Sequence, residues 1–479
     1  MVFSSATFLF FFLPLYLALD RVLGGKARNY WFIFASLIFY IWGETTGVFL
    51  LVALCVINFL LGSYLSKISS KPAQDGAPEL VGGGKLLLNL SPKSVLILGI
   101  ALNLGVLFYF KYLAWILSEL SALPFFPNIE IRAHALPLGI SFFTFHAISY
   151  LVDIYKGKVK AHTATDFATY FLMFPHLVAG PIVRFEDVRE SIQTRVRNND
   201  LFLWGAFRFI LGINKKVLIA NFVAPIADIA FSPAASPSFT DAWLGILAYT
   251  VQIYFDFSGY SDMAIGLAAM AGIRLKENFN APYKSGSIKE FWRRWHISLS
   301  SWLRDYLYFP LGGSRTPKVW MTYRNLLIVF LLCGLWHGAQ FTFVVWGLFH
   351  GALLIAERMR FGAIIASLPA SLQRCYCFFA VAIGWVFFRA IDIPSALQYL
   401  AALFNPTTFT AAFSIAAPVN LAALIAGLVI ALFAPTAGTD FQDTKASPGF
   451  IAYGNLVLFA VSLAVLYTNT RNPFIYFNF

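Results

Sequence analysis

The amino-acid sequence predicts an all-α integral membrane protein that crosses the bilayer many times. Its 479 residues are 59% hydrophobic and only 12% charged, which is about half the charged fraction of a soluble globular protein. Soluble domains of this combined length could not cover their surfaces with 35 basic and 23 acidic side chains. In a bilayer, where a spanning helix takes about 20 apolar residues, this composition allows at most roughly 14 spans. Soluble, disordered and single-anchor proteins are therefore excluded.

Apolar runs and basic loops alternate along the first third of the chain. The first run, residues 2–19, lacks the basic leader and small-residue cleavage site of a secretory signal, so we expect a retained first helix. Because cytoplasmic loops are the basic ones, the loop charges predict an external N-terminus and cytoplasmic first, third and fifth loops. The Lys and Arg residues are Arg21, Lys26 and Arg28 in the first loop, none in the second, Lys67, Lys71, Lys85 and Lys93 in the third, Arg132 in the fourth, and Lys156, Lys158 and Lys160 in the fifth.

The overall charge and the cysteines restrict the partners. The net charge of +12 comes largely from short loops, which predicts attraction to anionic membrane lipids and no nucleic-acid partner. Two of the four cysteines lie inside apolar runs and the other two flank one residue. This arrangement predicts neither a disulfide framework nor a metal site.

Beyond residue 167 the apolar runs become short and are interrupted by Pro, Gly and charged residues. Lipid tolerates such a backbone only where protein buries it or where it lines a watery cavity. Regular runs return over residues 325–336, 341–355, 372–388, 421–434 and 450–467. We expect about eleven transmembrane helices plus re-entrant or interfacial helices. The sequence shows no internal repeat, and we expect one domain over residues 1–479.

Two carboxylates, Asp256 and Asp262, stand six residues apart in an apolar stretch. Charges at membrane depth are costly and therefore suggest a function. One interpretation is that these carboxylates orient basic partners in a cavity. The other is a helix kink at Gly259 with the polar groups paired internally.

Residues 287–305 combine aromatic, basic and hydroxyl side chains. Five apolar residues recur there at helical spacing, which predicts one stripe along a helix; they are Ile288, Phe291, Trp295, Leu299 and Trp302. Glu290 and Arg294 form an i,i+4 pair, and His296 lies beside the stripe. An interfacial helix with a Trp belt is one interpretation. The other is a helix that enters the protein, with His296 facing a cavity and arginines available for phosphate.

His337 ends the apolar run at Gly334-Leu-Trp-His-Gly338. A neutral imidazole can act as a base at cellular pH, and the adjacent Gly338 lets a backbone or ligand approach. A satisfied structural histidine explains the residue as well as a catalytic one does. His350 follows thirteen residues later and would face away from His337 on one continuous helix.

Eight motifs are spread through nearly the whole chain. They are Met1-Val-Phe-Ser-Ser5, Leu136-Pro-Leu-Gly-Ile-Ser-Phe142, Phe174-Pro-His-Leu-Val-Ala-Gly-Pro181, Tyr254-Phe-Asp-Phe-Ser-Gly-Tyr-Ser-Asp262, Glu290-Phe-Trp-Arg-Arg-Trp-His-Ile-Ser-Leu-Ser300, Trp302-Leu-Arg-Asp305, Leu335-Trp-His-Gly338 and Phe474-Ile-Tyr-Phe477. Together they resemble the membrane-bound O-acyltransferase (MBOAT) family, in particular its bacterial branch with the membrane subunit of alginate O-acetyltransferases. That branch is also similar to subunits that acetylate peptidoglycan or cellulose and to the D-alanyl transfer protein of teichoic acids.

The resemblance implies a fold, a reaction and partners. It implies a core around a central tunnel, with His337 at the essential histidine position and His296 at a second one. It also implies cytoplasmic acetyl-CoA as acyl donor, an exported glycan of the alginate type as acceptor, and a periplasmic SGNH-type acetyltransferase as partner. The resemblance further implies that the protein lies in the bacterial inner membrane. The family pattern would put Trp before the second His-Gly, where this chain has Phe349.

Acyl transfer from a thioester to a hydroxyl needs a base and stabilisation of the developing oxyanion. We expect His337 to take the acceptor proton, or to accept the acetyl group if transfer is covalent. His296 would orient His337 or donate toward the thioester oxygen. The candidates for the donor's phosphates are Arg293, Arg294 and Arg304.

Two other classes share the membrane architecture. A transporter or flippase of an envelope precursor would also contain intramembrane charges and broken helices, but it usually shows two related halves. A non-catalytic scaffold of a polysaccharide export complex would need no paired histidines at membrane depth.

Overall fold

The computed structural model describes residues 2–69, 90–127, 135–159, 162–233, 235–410, 415–433 and 449–468. Within these ranges all regular secondary structure is helical, which confirms the predicted all-α class. Two compact units form: one from residues 12–198 and 271–275, and the other from residues 2–11, 199–270 and 276–479. The single domain expected over residues 1–479 stays a prediction. Lys71, Lys85, Arg132, Lys160 and the closing motif at Phe474 lie outside the described residues.

The first unit is built from short and medium helices around an aromatic core. Phe174 packs against Tyr16, Phe32 and Phe39, with ring centroids 5.3 to 5.5 Å apart. The helices are α1 (Leu13–Val22), α2 (Lys26–Gly43), α3 (Gly47–Ser69), α4 (Pro92–Leu107), α5 (Leu113–Ser121), α6 (Ile140–Tyr155), α7 (Ala164–Leu172), α8 (Phe174–Leu177) and α9 (Phe185–Thr194).

The second unit surrounds one long buried helix, α12. Most of the 32 residues of α12 are buried, including both of its central carboxylates. The helices of this unit are α10 (Asn199–Asn214), α11 (Asn221–Ala230), α12 (Phe239–Met270), α13 (Ile288–Arg294), α14 (Ile297–Leu303), α15 (Val319–His337), α16 (Phe341–Arg358), α17 (Arg360–Ser367), α18 (Ala370–Arg389), α19 (Ile393–Leu403), α20 (Pro418–Phe433) and α21 (Gly449–Thr468).

Seven helical segments of the described chain are long and apolar enough to cross a membrane. They are Gly47–Ser69, Pro92–Ser121, Asn199–Ala230, Val319–His337, Phe341–Arg358, Ala370–Arg389 and Ile451–Thr468. The protein is therefore polytopic, as predicted, but the number is below the expected eleven.

The difference in span number has a local cause in each region. The predicted first helix is present as one helical run over residues 6–22, with a π-helical turn at Phe8–Phe12 that continues into α1, but it is shorter than the roughly 20 residues of a full span. Three further apolar helices, α6, α19 and α20, have 10–17 residues. Helix α12 is long enough but contains Asp241, Asp256 and Asp262, so hydropathy alone does not mark it as a span.

Close contact between α10 and α12 depends on glycine. A Cβ atom at Gly212 would lie 2.4 Å from the carbonyl oxygen of Gly259, and one at Gly266 would lie 2.4 Å from that of Gly205. Small residues of this kind let helix backbones approach in membranes. Helix α12 is continuous through Gly259, and the lack of a side chain there serves helix packing; the kink considered from the sequence stays a prediction.

Candidate functional site

The two carboxylates of α12 are paired inside the second unit. Asp262 lies 2.6 Å from the guanidinium of Arg208 and 2.7 Å from the ammonium of Lys215, and Asp256 lies 2.5 Å from the ammonium of Lys216. Both carboxylates are buried. The internal pairing that the sequence allowed is therefore present, and it ties α12 to the helix that leads from α10 into α11.

The segment with the aromatic stripe folds as two short helices. Helix α13 ends at Arg294 and α14 begins at Ile297, so the single helix predicted from the spacing is wrong. The break lies at His296, whose φ of +43° is in the left-handed region. All five stripe residues are buried, as expected for a segment that enters the protein: Ile288, Phe291, Trp295, Leu299 and Trp302.

Asn278 stabilises the break and fixes the imidazole of His296. Its Oδ1 accepts from the backbone N–H of Ser298 at 3.2 Å and from the hydroxyl of Ser298 at 2.8 Å, and it lies 3.0 Å from Nδ1 of His296. A backbone N–H can only donate, so the amide atom at this position is the oxygen. The proton of His296 is therefore on Nδ1, and Nε2 carries the lone pair.

The unprotonated face of His296 lies in apolar surroundings. The side chain is fully buried, and its Nε2 has no hydrogen-bond partner among the residues that the structure describes. Burial lowers the pKa of His296 to about 3. His296 is thus a neutral hydrogen-bond acceptor at cellular pH.

His337 ends α15 inside an aromatic cluster. Its ring centroid lies 5.1 Å from that of Trp346, 5.0 Å from that of Phe388 and 4.9 Å from that of Trp336. Trp336 also contacts His296, at 6.0 Å. The structure therefore brings both predicted histidines, 41 residues apart in the chain, into contact with the same indole ring.

His350 joins the same aromatic cluster from the next helix. The chain turns between α15 and α16, so His350 lies 5.2 Å from Trp346, which also contacts His337. The orientation expected from a continuous helix is therefore wrong. Nδ1 of His350 accepts from the indole N–H of Trp292 at 3.4 Å, which gives His350 a packing role beside the two predicted histidines.

A cavity of about 960 Å³ is lined by Ile297, which follows His296, and by Cys333, while neither His296 nor His337 lines it. Arg293 and Arg304 line it, whereas Arg294 does not and pairs with Glu290 at 2.8 Å, as predicted. Two further cations line the cavity, Lys289 and Arg358. Neither is marked by its local sequence, because it is the packing of α13 beside α16 that brings them to the cavity.

The inner wall of the cavity leads toward His337. Trp292, Phe330 and Cys333 line the cavity, and Cys333 stands one helical turn before His337 on α15. Trp292 lies 5.7 Å from Trp346, the ring that packs on His337. A ligand in this cavity would thus reach within one layer of side chains of the candidate base.

Glu357 attaches α13 to α16. Its carboxylate accepts from the backbone N–H groups of Ile288 at 2.6 Å and Lys289 at 3.1 Å. These are donors of the first turn of α13, which have no partner within their own helix. The pair of bonds fixes the helix that carries Arg293 at the cavity.

Comparison with known proteins identifies the family. Residues 104–396 match the family model described as MBOAT, the membrane-bound O-acyltransferase family. Over the full length of both chains the sequence is 40% identical to an Azotobacter vinelandii protein named "Probable alginate O-acetylase AlgI". It is 44% identical to the Pseudomonas aeruginosa protein of that name, over 85% of this chain and 75% of the relative. A peptidoglycan O-acetyltransferase of Helicobacter pylori is 36% identical over 84% of this chain and 79% of its own. The chain belongs to the membrane-bound O-acyltransferase family, and the predicted acyltransferase activity is confirmed.

Proposed function

We propose that this enzyme transfers acetyl groups from cytoplasmic acetyl-CoA toward hydroxyls of an exported glycan of the alginate type. The observation that carries the proposal is that His296 and His337 both contact Trp336, one layer of side chains away from a cation-lined cavity. The names of the Azotobacter and Pseudomonas relatives support the alginate-type acceptor. The Helicobacter relative supports peptidoglycan as the alternative acceptor, with cellulose or another envelope glycan as further members of the same class.

The cavity fits the polyanionic end of acetyl-CoA. Four cations line it against two carboxylates, those of Glu290 and Glu357. Both carboxylates are engaged, Glu290 with Arg294 and Glu357 with the start of α13. Arg293 and Arg304 are exposed, and planar guanidinium groups bind phosphate oxygens in pairs. Arg304 also pairs with Asp305 at 2.7 Å, a partner that a phosphate would share or replace. The acetyl thioester would then extend toward Cys333 and the histidines.

His337 is the residue that we assign as general base. The acceptor hydroxyl oxygen attacks the thioester carbonyl carbon, the new C–O bond forms and the C–S bond breaks. The hydroxyl proton passes to the imidazole of His337 and then to the departing CoA sulfur. General-base help of this kind contributes about 10²–10⁴-fold. His296 accepts through Nε2, so it orients the acceptor hydroxyl or His337 instead of donating to the thioester oxygen.

Trp346 supplies a donor for the developing oxyanion. Its side chain is fully buried, and its indole N–H has no acceptor in the described part of the chain. An indole nitrogen can only donate. An unused donor beside the candidate base is the arrangement that oxyanion stabilisation requires.

The proposed orientation of the enzyme in the membrane rests on the loop charges. The basic first, third and fifth loops put the N-terminus outside and the acetyl-CoA side in the cytoplasm of an inner-membrane enzyme. We propose that a periplasmic SGNH-type acetyltransferase receives the acetyl group and passes it to the glycan.

The test uses the detergent-purified full chain and acetyl-CoA labelled in its acetyl group. Wild type is expected to release CoA thiol and transfer label to an added glycan, and the His337→Ala variant to lose this activity about 10²–10⁴-fold. Oligomers of alginate, peptidoglycan and cellulose are compared as acceptors, each with and without the periplasmic partner. His162→Ala is the matched control, because His162 belongs to the other compact unit.

The outcomes separate the parts of the proposal. Equal activity of wild type and His337→Ala would move the base elsewhere. No thiol release from acetyl-CoA, with the partner and each acceptor present, would exclude this donor. Transfer to peptidoglycan but not to alginate would replace the acceptor and leave the catalytic assignment in place.

A further inference from the structure

A second cavity, of about 650 Å³, lies within the first unit, which contains neither His296 nor His337. It lies where α2 and α7 begin and α9 ends, and we call it the α2 cavity. Its charged lining consists of Lys26, Arg28, Arg195, Arg197 and Asp166. Hydroxyls of Thr163, Thr165 and Thr194 complete the polar wall. Nothing in the proposed acetyl transfer uses this cavity.

Two buried arginines share one carboxylate at its base. Arg28 lies 2.6 Å from Asp20 and Arg195 lies 2.5 Å from the other oxygen of Asp20. Each arginine is only 5% exposed. The Nε atom of each is buried with no acceptor among the described residues. One carboxylate thus faces two guanidinium groups, and both arginines also line the cavity.

The backbone of Arg195 has a conformation that is unfavourable for a residue with a side chain. Arg195 has a φ of +40°, in the left-handed region that disfavours side chains. It ends α9, and its N–H bonds the carbonyl of Ser191 at 2.9 Å. A glycine would take this conformation more easily, and the arginine is held there by its pair with Asp20 and by its contact with the ring of Phe32 at 4.9 Å.

Helix α2 starts at the cavity with charges of the unfavourable sign. The positive end of a helix dipole favours anions, yet the first turn of α2 carries Lys26 and Arg28 and contains no acidic residue. Its N-cap is Gly25, which provides no side-chain hydrogen bond. A Cβ atom at Gly24 or Gly25 would meet no heavy atom within 4 Å, so the cavity is open at this loop.

The carboxylate of Asp166 does not compensate the cations. It accepts from the backbone N–H of Thr163 at 2.9 Å as part of the capping box of α7. The amide of Gln193 donates to the same oxygen at 3.2 Å. The cavity wall thus carries four cations and one carboxylate, with Asp20 pairing two of the cations from outside the lining. A third cation, Arg197, donates to the carbonyl of Leu23, which is neutral, so a net positive charge remains.

We propose that the α2 cavity binds a phosphate group. Paired guanidinium groups, a lysine and a helix N-terminus are the elements from which proteins build phosphate sites. The first and fifth loops, both predicted to be cytoplasmic, meet here at Lys26 and Thr163. The cavity thus opens at the membrane face where basic loops collect. The phosphate belongs either to the headgroup of an anionic phospholipid or to a soluble phosphate.

The experiment measures binding by the full-length protein with two sources of phosphate. Native mass spectrometry counts lipids retained from detergent micelles that contain phosphatidylglycerol or phosphatidylcholine, and a thermal-shift titration follows inorganic phosphate. The test variant is Lys26→Gln combined with Arg197→Gln, because both residues line the cavity outside the buried Asp20 pair. The matched control is Lys158→Gln, an exposed cation of the fifth loop that does not line the cavity.

We expect each wild-type molecule to retain one phosphatidylglycerol. Binding should weaken about tenfold or more in the double variant, because the loss of one charge-assisted hydrogen bond alone weakens binding about tenfold. Binding should be unchanged in Lys158→Gln. Stabilisation by inorganic phosphate without lipid retention, again lost in the double variant, would support the site and assign a soluble phosphate. Equal weakening in Lys158→Gln would indicate general surface attraction and overturn the proposal. Binding of neither source would overturn it too. Unchanged size-exclusion profiles show that each variant is folded.

Discussion

Asn278 decides which nitrogen of His296 carries the proton. The amide oxygen is held in place by Ser298, and the amide NH₂ donates to the hydroxyl of Ser261 on α12 at 3.0 Å. The oxygen can therefore only accept at Nδ1, 3.0 Å away. Because its contacts with Ser298 and Ser261 fix the amide that faces His296, Asn278 is a positioning residue for the candidate site.

Replacing Asn278 should change the pH dependence of catalysis as well as its rate. We expect Asn278→Ala to lower kcat about tenfold or more with little change in KM for acetyl-CoA, because the imidazole loses its fixed tautomer. In Asn278→Asp, a carboxylate beside Nδ1 favours the imidazolium. Its activity should therefore fall more steeply between pH 8 and pH 6 than that of wild type.

A pH–rate series on the purified enzyme checks this expectation. Asn280→Ala is the control, since that exposed side chain lies two residues away and the backbone of Asn280 makes the contact with Arg294. A profile of Asn278→Asp that runs parallel to that of wild type would show that Asn278 only supports the fold.

The sequence was sufficient for those features that depend on local pattern. Composition and loop charge predicted the polytopic all-α class, and the motifs pointed to His296 and His337. Asn278 and Trp346 could not be predicted, because their roles depend on contacts with residues of other segments. Residues 287–305 show the same limit: helical spacing is real there, but Asn278 satisfies the N–H of Ser298 and lets the chain break at His296.

The kinetic effect of replacing each candidate arginine should depend on whether that arginine lines the cavity. Arg293→Gln and Arg304→Gln should each raise KM for acetyl-CoA about tenfold and leave kcat within about twofold, because each loses a charge-assisted bond to phosphate. Arg294→Gln should leave both constants near those of wild type, since Arg294 does not line the cavity. Steady-state kinetics with acetyl-CoA, and with a short acetyl thioester that lacks phosphates, provide the measurement. A rise in KM for the phosphate-free thioester would contradict a phosphate contact.

Trp346 and Trp385 offer a matched pair for the oxyanion assignment. Their rings stack with centroids 5.9 Å apart, but the N–H of Trp385 donates to the hydroxyl of Tyr283 at 3.2 Å. We expect Trp346→Phe to lower kcat about 10²–10³-fold, the usual effect of losing an oxyanion donor. Trp385→Phe should lose similar stability and little kcat. Comparable losses of kcat in the two variants would assign Trp346 to packing alone.

The contact between α10 and α12 should limit the stability of the second unit. In Gly266→Ala the new methyl would lie 2.4 Å from the carbonyl oxygen of Gly205 and 2.7 Å from the backbone nitrogen of Phe209. Backbone atoms cannot rotate away, so the helices must separate, at a cost of about 1–3 kcal/mol. Gly454→Ala on α21 is the control, because a Cβ atom there meets nothing within 4 Å and alanine favours a helix. Thermal unfolding in detergent should therefore show a lower Tm for Gly266→Ala only. Equal Tm values for the two variants would contradict the packing role.

The same variant should also lose activity at temperatures below its Tm, because α12 carries Ser261, the partner of Asn278.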